Sequence, residues 1–180
     1  MFQDIPYESQ CSLKIDYLNT ILDKIHSVSS IVPSPPLQYR NRMDYVTAFG
    51  KIGLRQAGRY RHVVDIESCE ILQERANSLL KQARCLLPAV EGYDYLTHSG
   101  YLRYCVIRQA RFTGQVMINF VVAHPENRLS GSIEPIVEAA DSVSILLSDG
   151  MADLSADLEH DLQDRLRVVV LEAEEAIDTG

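Results

Sequence analysis

The 180-residue chain has no apolar run approaching the roughly 20 residues that a membrane-spanning helix needs. Its opening segment, MFQDIPYESQ, has no basic region followed by an apolar stretch, which excludes a secretory signal and makes a cytoplasmic protein the expectation. The four cysteines, Cys11, Cys69, Cys85 and Cys105, lie far apart without a CxxC pair. That spacing excludes a local zinc motif and gives no disulfide framework in a reducing compartment. The glycine-rich nucleotide loops, the GxSxG elbow and the HExxH zinc motif are all missing. Five histidines (His26, His62, His98, His124, His160) are scattered with no ligand spacing, and no internal repeat is visible. What remains is one ordinary domain, or a domain with a short appendage, long enough to bury a core.

What is present is an uneven charge. Residues 1–133 carry 15 basic and 12 acidic side chains, whereas residues 134–180 carry 2 and 13. The overall formal charge of -8 therefore comes from the last quarter of the chain, and the rest is mildly basic. Within it, residues 38–61 hold six basic residues (Arg40, Arg42, Lys51, Arg55, Arg59, Arg61) against one acid, Asp44, with Tyr39, Tyr45, Phe49 and Tyr60 interleaved. A solvated strand face can carry such charges. An arginine-rich face with aromatics is also what a phosphate backbone and unstacked bases require.

The spacing of Ile15, Leu18, Leu22 and Ile25 predicts a helix over residues 8–25, followed by an extended connector, SVSSIVPSPP. Strands are expected at 39–49 and 61–65, with a turn at 50–53 and a short return near Leu54. On the first of these, Tyr39, Asn41, Met43 and Tyr45 share one face, and Arg40, Arg42 and Asp44 the other. A second helix, opened by Cys69 and running to Leu87, carries Ile71, Leu72, Ala76, Leu79, Leu80, Ala83 and Leu87 as its apolar stripe. A hairpin pairs 101–111 with 115–122 around Thr113-Gly114, a third helix covers 133–140, and a strand covers 142–147. Alternation puts Arg103 with Cys105 and Ile107, and Arg108 with Tyr104 and Val106. Residues 151–166 read as an acidic helix, and VVVLEAEEAIDTG as a final strand or a frayed tail. The expected class is α+β: an antiparallel sheet with helices packed on one face.

Three ordered blocks, YRNRMDYVTAFG, GLRQAGRYRHVVDIESCEIL and THSGYLRYCVIRQARFTGQVMINFVV, resemble the central domain of the RNA (uracil-5-)-methyltransferases. The resemblance spans about residues 2–148. FQDIPYE looks like the segment after that family's cysteine-rich CGGC motif, and SDGMADLS with LQDRL like a degraded passage toward its catalytic domain. The family is expected to methylate C5 of uridine in tRNA or ribosomal RNA with S-adenosylmethionine, through thiolate attack at C6 and removal of the C5 proton. Many members hold a [4Fe-4S] cluster on three upstream cysteines and one in the VVDIxxC block. Cys69 matches that fourth position, but the chain begins after the place of the other three, so the ligand is orphaned and expected to be unoccupied. No cofactor loop, acidic-proline motif or nucleophilic cysteine of the family's catalytic part is found, and its N-terminal RNA-binding barrel is missing.

The resemblance therefore implies residues 1–148 as an RNA-positioning domain and residues 149–180 as an acidic extension, in a truncated gene product or excised piece. It holds no cofactor itself and is not catalytic alone. RNA contacts are assigned to Arg40, Arg42, Arg55, Arg59, Arg61, His62, Arg103 and Arg108, with Tyr60 or His62 near a base. Two other readings stay open: a non-catalytic subunit that docks a separate methyltransferase chain through the acidic tail, and a stable remnant without RNA affinity.

Overall fold

The computed structural model describes residues 4–126, 128–129, 132–148 and 168–171. Of Tyr60 only the backbone is described, and the expected acidic helix at 151–166 lies outside these residues. The first element, α1 (Tyr7–Leu22), has no buried residue. Its apolar side chains do not seal a core: Leu13, Tyr17, Leu18 and Ile21 are all exposed. The connector after it folds back along the helix. The Asn19 side chain both donates to the Val28 carbonyl (3.0 Å) and accepts from the Val28 N–H (2.7 Å), and the Tyr7 hydroxyl accepts from Ser34 N–H.

The body begins with a meander of β1 (Arg42–Ala48), β2 (Lys51–Gln56) and β3 (Arg59–Asp65). The β1–β2 turn is made by Phe49 and Gly50, both at positive φ (54° and 68°), the geometry of the twist-matched two-residue hairpin. Gly53 is required by its neighbour: a Cβ there would run into the Val64 carbonyl on β3. Helix α2 (Glu74–Arg84) follows, then β4 (Leu102–Gln109), β5 (Val116–Val122), α3 (Glu134–Ala139), β6 (Ser142–Leu147) and β7 (Val168–Leu171). They form one seven-stranded sheet in the order β3-β2-β1-β4-β5-β6-β7.

Two expectations are corrected here. The sheet is mixed, because α3 carries the chain across from β5 to a parallel β6; every other pairing is antiparallel. Cys69 does not open α2, which starts five residues later at Glu74. The intervening residues are instead fixed by Asn77, whose side chain accepts from Cys69 N–H (2.8 Å) and donates to the carbonyls of Cys69 and Leu72.

Helices α2 and α3 cover one face of the sheet, as the α+β reading expects. Ala76, Leu79, Leu80 and Ala83 of α2 and Ile136 of α3 join Met43, Tyr45, Cys105, Ile107, Ile118 and Phe120 in the main core. The opposite face has a smaller cluster of Val46, Ala48, Val63, Tyr104, Val106, Val121 and Leu146, with Tyr95 packed against it. The strands are apolar on both faces because both carry packed residues, so alternation in the sequence is muted.

Arg84 ties the layers together. Its guanidinium forms a bidentate pair with Asp65 (2.6 and 2.7 Å) and donates to the carbonyls of Ile66 (2.9 Å) and Ile52 (3.4 Å). The carboxyl of Asp65 is held below its ordinary range, chiefly by the Arg84 hydrogen bonds and further by the Ile52 N–H.

Candidate nucleic-acid interface

The predicted arginines reach different places because β-strand side chains alternate and because the strand carrying Arg103 is irregular. Arg42 and Arg108 face each other across β1 and β4, which are register partners. Both lie on the side turned away from α2, since the flanking Met43 and Ile107 enter the helix-side core. Arg42 is held by Asp44, two residues along the same face, through Nε–Oδ1 (2.7 Å) and Nη2–Oδ2 (2.8 Å). Arg55, opposite Val63, lies over the ring of Tyr95 at 4.6 Å from its centroid. Arg61 joins Arg55, Phe49, Val63, Tyr95 and Leu96 around a small cavity of about 100 Å³. The face opposite the helices therefore gathers Arg42, Arg55, Arg61 and Arg108 with an aromatic platform, Tyr95, next to Tyr104 (6.3 Å between centroids).

Other predicted residues do not join this group. Arg59 sits exposed at the β2–β3 turn, opposite Gln56. His62 is exposed but alternates to the other side of β3 from Arg61. Arg40 precedes β1, where its N–H donates to the Ile71 carbonyl and its Nε to the carbonyl of Arg42. Arg103 differs from the surface placement expected of it. The register shifts between Leu102 and Tyr104, and the Arg103 side chain turns inward, 1% exposed. There it donates to the carbonyl (2.8 Å) and hydroxyl of Ser148 and stacks over Tyr93 at 4.6 Å. A guanidinium enclosed in this way fastens strand β4 to the end of β6 and is not presented to a ligand.

At one end of the sheet the starts of β1, β5 and β6 meet the end of β4 around a cavity of about 560 Å³. Its lining includes Asn41, Arg42, Arg108, Gln115, Met117 and Asp141. Asp141 already accepts from Val116 N–H (2.7 Å) and pairs with Arg75 (2.8 Å), and these donors keep its carboxyl below the ordinary range. Arg75 was missed by reading along the chain, because its partners Gly114, Ala139 and Asp141 are all remote in sequence.

Cys69 lines a separate cavity of about 430 Å³ with Arg40, Met43, Leu54 and Ile71. No group of three metal-ligating side chains occurs among the described residues, so those residues do not fit an iron–sulfur cluster. Burial pushes the Cys105 thiol far up, and burial together with the two cysteines Cys69 and Cys105 does the same to the Tyr45 phenol. Neither is poised to ionise as a nucleophile. No helix among the described residues is long and apolar enough to cross a membrane.

No family model matches the chain. Individual proteins do. It is 33% identical over 129 residues to the tRNA (uracil(54)-C(5))-methyltransferase of Pyrococcus furiosus, covering 70% of this chain and 31% of that protein. It is 28% identical over 145 residues to the 23S rRNA (uracil(747)-C(5))-methyltransferase of Pyrococcus horikoshii, covering 79% and 34%. The crystal structure of Pyrococcus abyssi tRNA (uracil-54, C5)-methyltransferase with S-adenosyl-L-homocysteine superposes with a TM-score of 0.72 at 25% identity, over 86% of this chain and 38% of that one. By sequence and by fold, the chain belongs to the RNA (uracil-5-)-methyltransferase family, spanning about a third of the length of these relatives.

Proposed function

We propose that this chain is the RNA-positioning domain of an S-adenosylmethionine-dependent RNA (uracil-5-)-methyltransferase acting on tRNA or ribosomal RNA, and that it is not catalytic alone. Residues 1–148 supply the RNA-facing surface, and the acidic residues 149–180 lead toward the catalytic part. The observation that carries the reading is the placement of Arg42, Arg55, Arg61 and Arg108 on the sheet face opposite the helices, with Arg55 and Arg61 beside Tyr95. Guanidinium groups take phosphates and aromatic rings take unstacked bases, which is how folded RNA is held. Arg40, Arg59 and His62 extend the contact at the margins. S-Adenosylmethionine would be bound by the remaining part of the enzyme.

Filter binding of tRNA and a labelled-methyl transfer assay on the purified chain test this together. The expected result is salt-dependent RNA binding with no methyl transfer. A triple variant with Arg42, Arg55 and Arg61 changed to Ala should bind at least tenfold more weakly at low salt and show a shallower salt slope. Undiminished binding by that variant, or methyl transfer by the chain alone, overturns the proposal.

A second reading, a subunit docked on a separate catalytic chain, draws on α1, whose Leu13, Tyr17 and Ile21 are exposed. Introducing charge at Leu13 and Ile21 would abolish association with a catalytic partner and leave RNA affinity unchanged if that reading holds.

A further inference from the structure

We infer that the cavity where β1, β4, β5 and β6 meet is a nucleotide subsite, in which Arg108 receives a phosphate group. The inference rests on the RNA-binding reading and adds to it a specific pocket and a specific anion-binding residue.

Like charges placed directly opposite each other on antiparallel strands are destabilising, and the sheet sets Arg42 opposite Arg108. Neighbouring charges relieve only one of the two. Arg42 is neutralised in a bidentate pair by Asp44. Asp141, the carboxylate lining the cavity, is already committed to Arg75 and to the Val116 N–H. The Arg108 side chain has no hydrogen bond or ion pair with the described residues, and its Nε is shut off from solvent without an acceptor. Buried polar groups are ordinarily satisfied, and charged ones nearly always so. The Nη groups of this guanidinium, at the wall of the cavity and without a partner among the described residues, are what an anionic ligand would engage.

The rest of the lining suggests what kind of anion. The volume of about 560 Å³ falls within the roughly 300–1,000 Å³ of small-molecule sites and exceeds what a lone phosphate fills. Asn41, Gln115 and Ser142 offer exposed amide and hydroxyl groups, while Val116 and Met117 supply apolar wall. The Gln109 side-chain Oε1 is not available, since it accepts from Ala76 N–H (3.2 Å). One charge-bearing donor, several neutral hydrogen-bonding groups and an apolar wall suit a nucleotide: phosphate on Arg108, sugar or base against the amides and Met117. The phosphate could belong to an RNA strand or to a free nucleotide.

The test uses the full chain, a uridine-containing RNA stem-loop, uridine monophosphate and inorganic phosphate. Binding is followed by fluorescence anisotropy for the RNA and by the Arg108 Nε–H NMR resonance for all three. RNA and uridine monophosphate should both move that resonance, the nucleotide more than inorganic phosphate. Arg108→Ala should weaken RNA binding about tenfold, as expected for loss of one charge-assisted phosphate contact. Ser142→Glu, at an exposed position that does not endanger folding, should weaken it similarly by placing a carboxylate at the cavity mouth, and it decides the matter if Arg108→Ala does not fold. Wild-type RNA binding left unchanged by Ser142→Glu and by a folded Arg108→Ala overturns the subsite while the RNA reading stands. A nucleotide response at Arg108 with no RNA binding supports the subsite and overturns the RNA reading. Silence from all three probes overturns both.

Discussion

Arg84 and Arg108 are the same residue type in opposite layers of one sheet, and their surroundings give them opposite roles. On the helix side, Arg84 reaches back from α2 to a carboxylate and two backbone carbonyls on and beside β2 and β3. Its donors are spent inside the protein, so it acts as a staple. Across the sheet, Arg108 stands at a cavity with a buried Nε and no acceptor among the described residues. Arg103 lies five residues from Arg108 on the same strand, and its Nε likewise lacks an acceptor among the described residues. Its Nη1, however, is taken by Ser148, and the side chain is enclosed over Tyr93, away from any ligand. An arginine whose donors the fold leaves unspent is the stronger ligand-binding candidate.

The comparison can be broken by stability measurements, beginning with the most enclosed arginine. Arg103→Met keeps the length of the side chain but leaves the Ser148 carbonyl without its donor and removes the stack on Tyr93. It should destabilise the fold by about 2–4 kcal/mol in urea unfolding, with RNA affinity per folded molecule unchanged. A shift below 1 kcal/mol would show that Arg103 is not structural.

Arg84→Ala should cost less, about 1–2 kcal/mol, because Asp65 is 39% exposed and solvent already screens part of the pair. Its pH signature is specific. The Asp65 carboxyl is depressed in the folded state, so its contribution is full above the unfolded value of roughly 4 and is lost as pH falls through the lower folded value. Arg84→Ala should therefore flatten the loss of stability as pH falls below about 4. An unchanged acid limb would assign that slope to other carboxylates.

Arg55→Ala removes a cation–π contact at a partly open site and should cost about 0.5–1 kcal/mol. The exposed Arg59→Ala should stay within about 0.5 kcal/mol. If Arg59→Ala proved as destabilising as Arg84→Ala, the division between stapling and available arginines would fail.

Much of the fold was legible along the chain. The β4–β5 hairpin, the β6 strand and the apolar stripe of α2 follow from periodicity and turn chemistry, which are local. The parallel β5–β6 pairing was not legible, since it depends on where α3 carries the chain after β5. Helix α1 shows the reverse failure. Its three-and-four spacing made a helix, yet periodicity says only that a face is apolar and not what covers it: Leu18 of that face stays exposed, as does Ile25, which falls beyond the helix end at Leu22.

The sequence by itself determined the family, the class of fold and the basic stretch in which the candidate residues lie, because ordered blocks and side-chain periods survive in one dimension. It did not determine which arginines are available. That choice was made only in three dimensions, by a bulge that turned Arg103 inward and by the alignment of β1 with β4 that set Arg42 against Arg108. The partners that neutralise Arg84 and Arg75, Asp65 and Asp141, also converge from remote parts of the chain. Whether a charge is free depends on distances between such segments, and sequence order does not contain them.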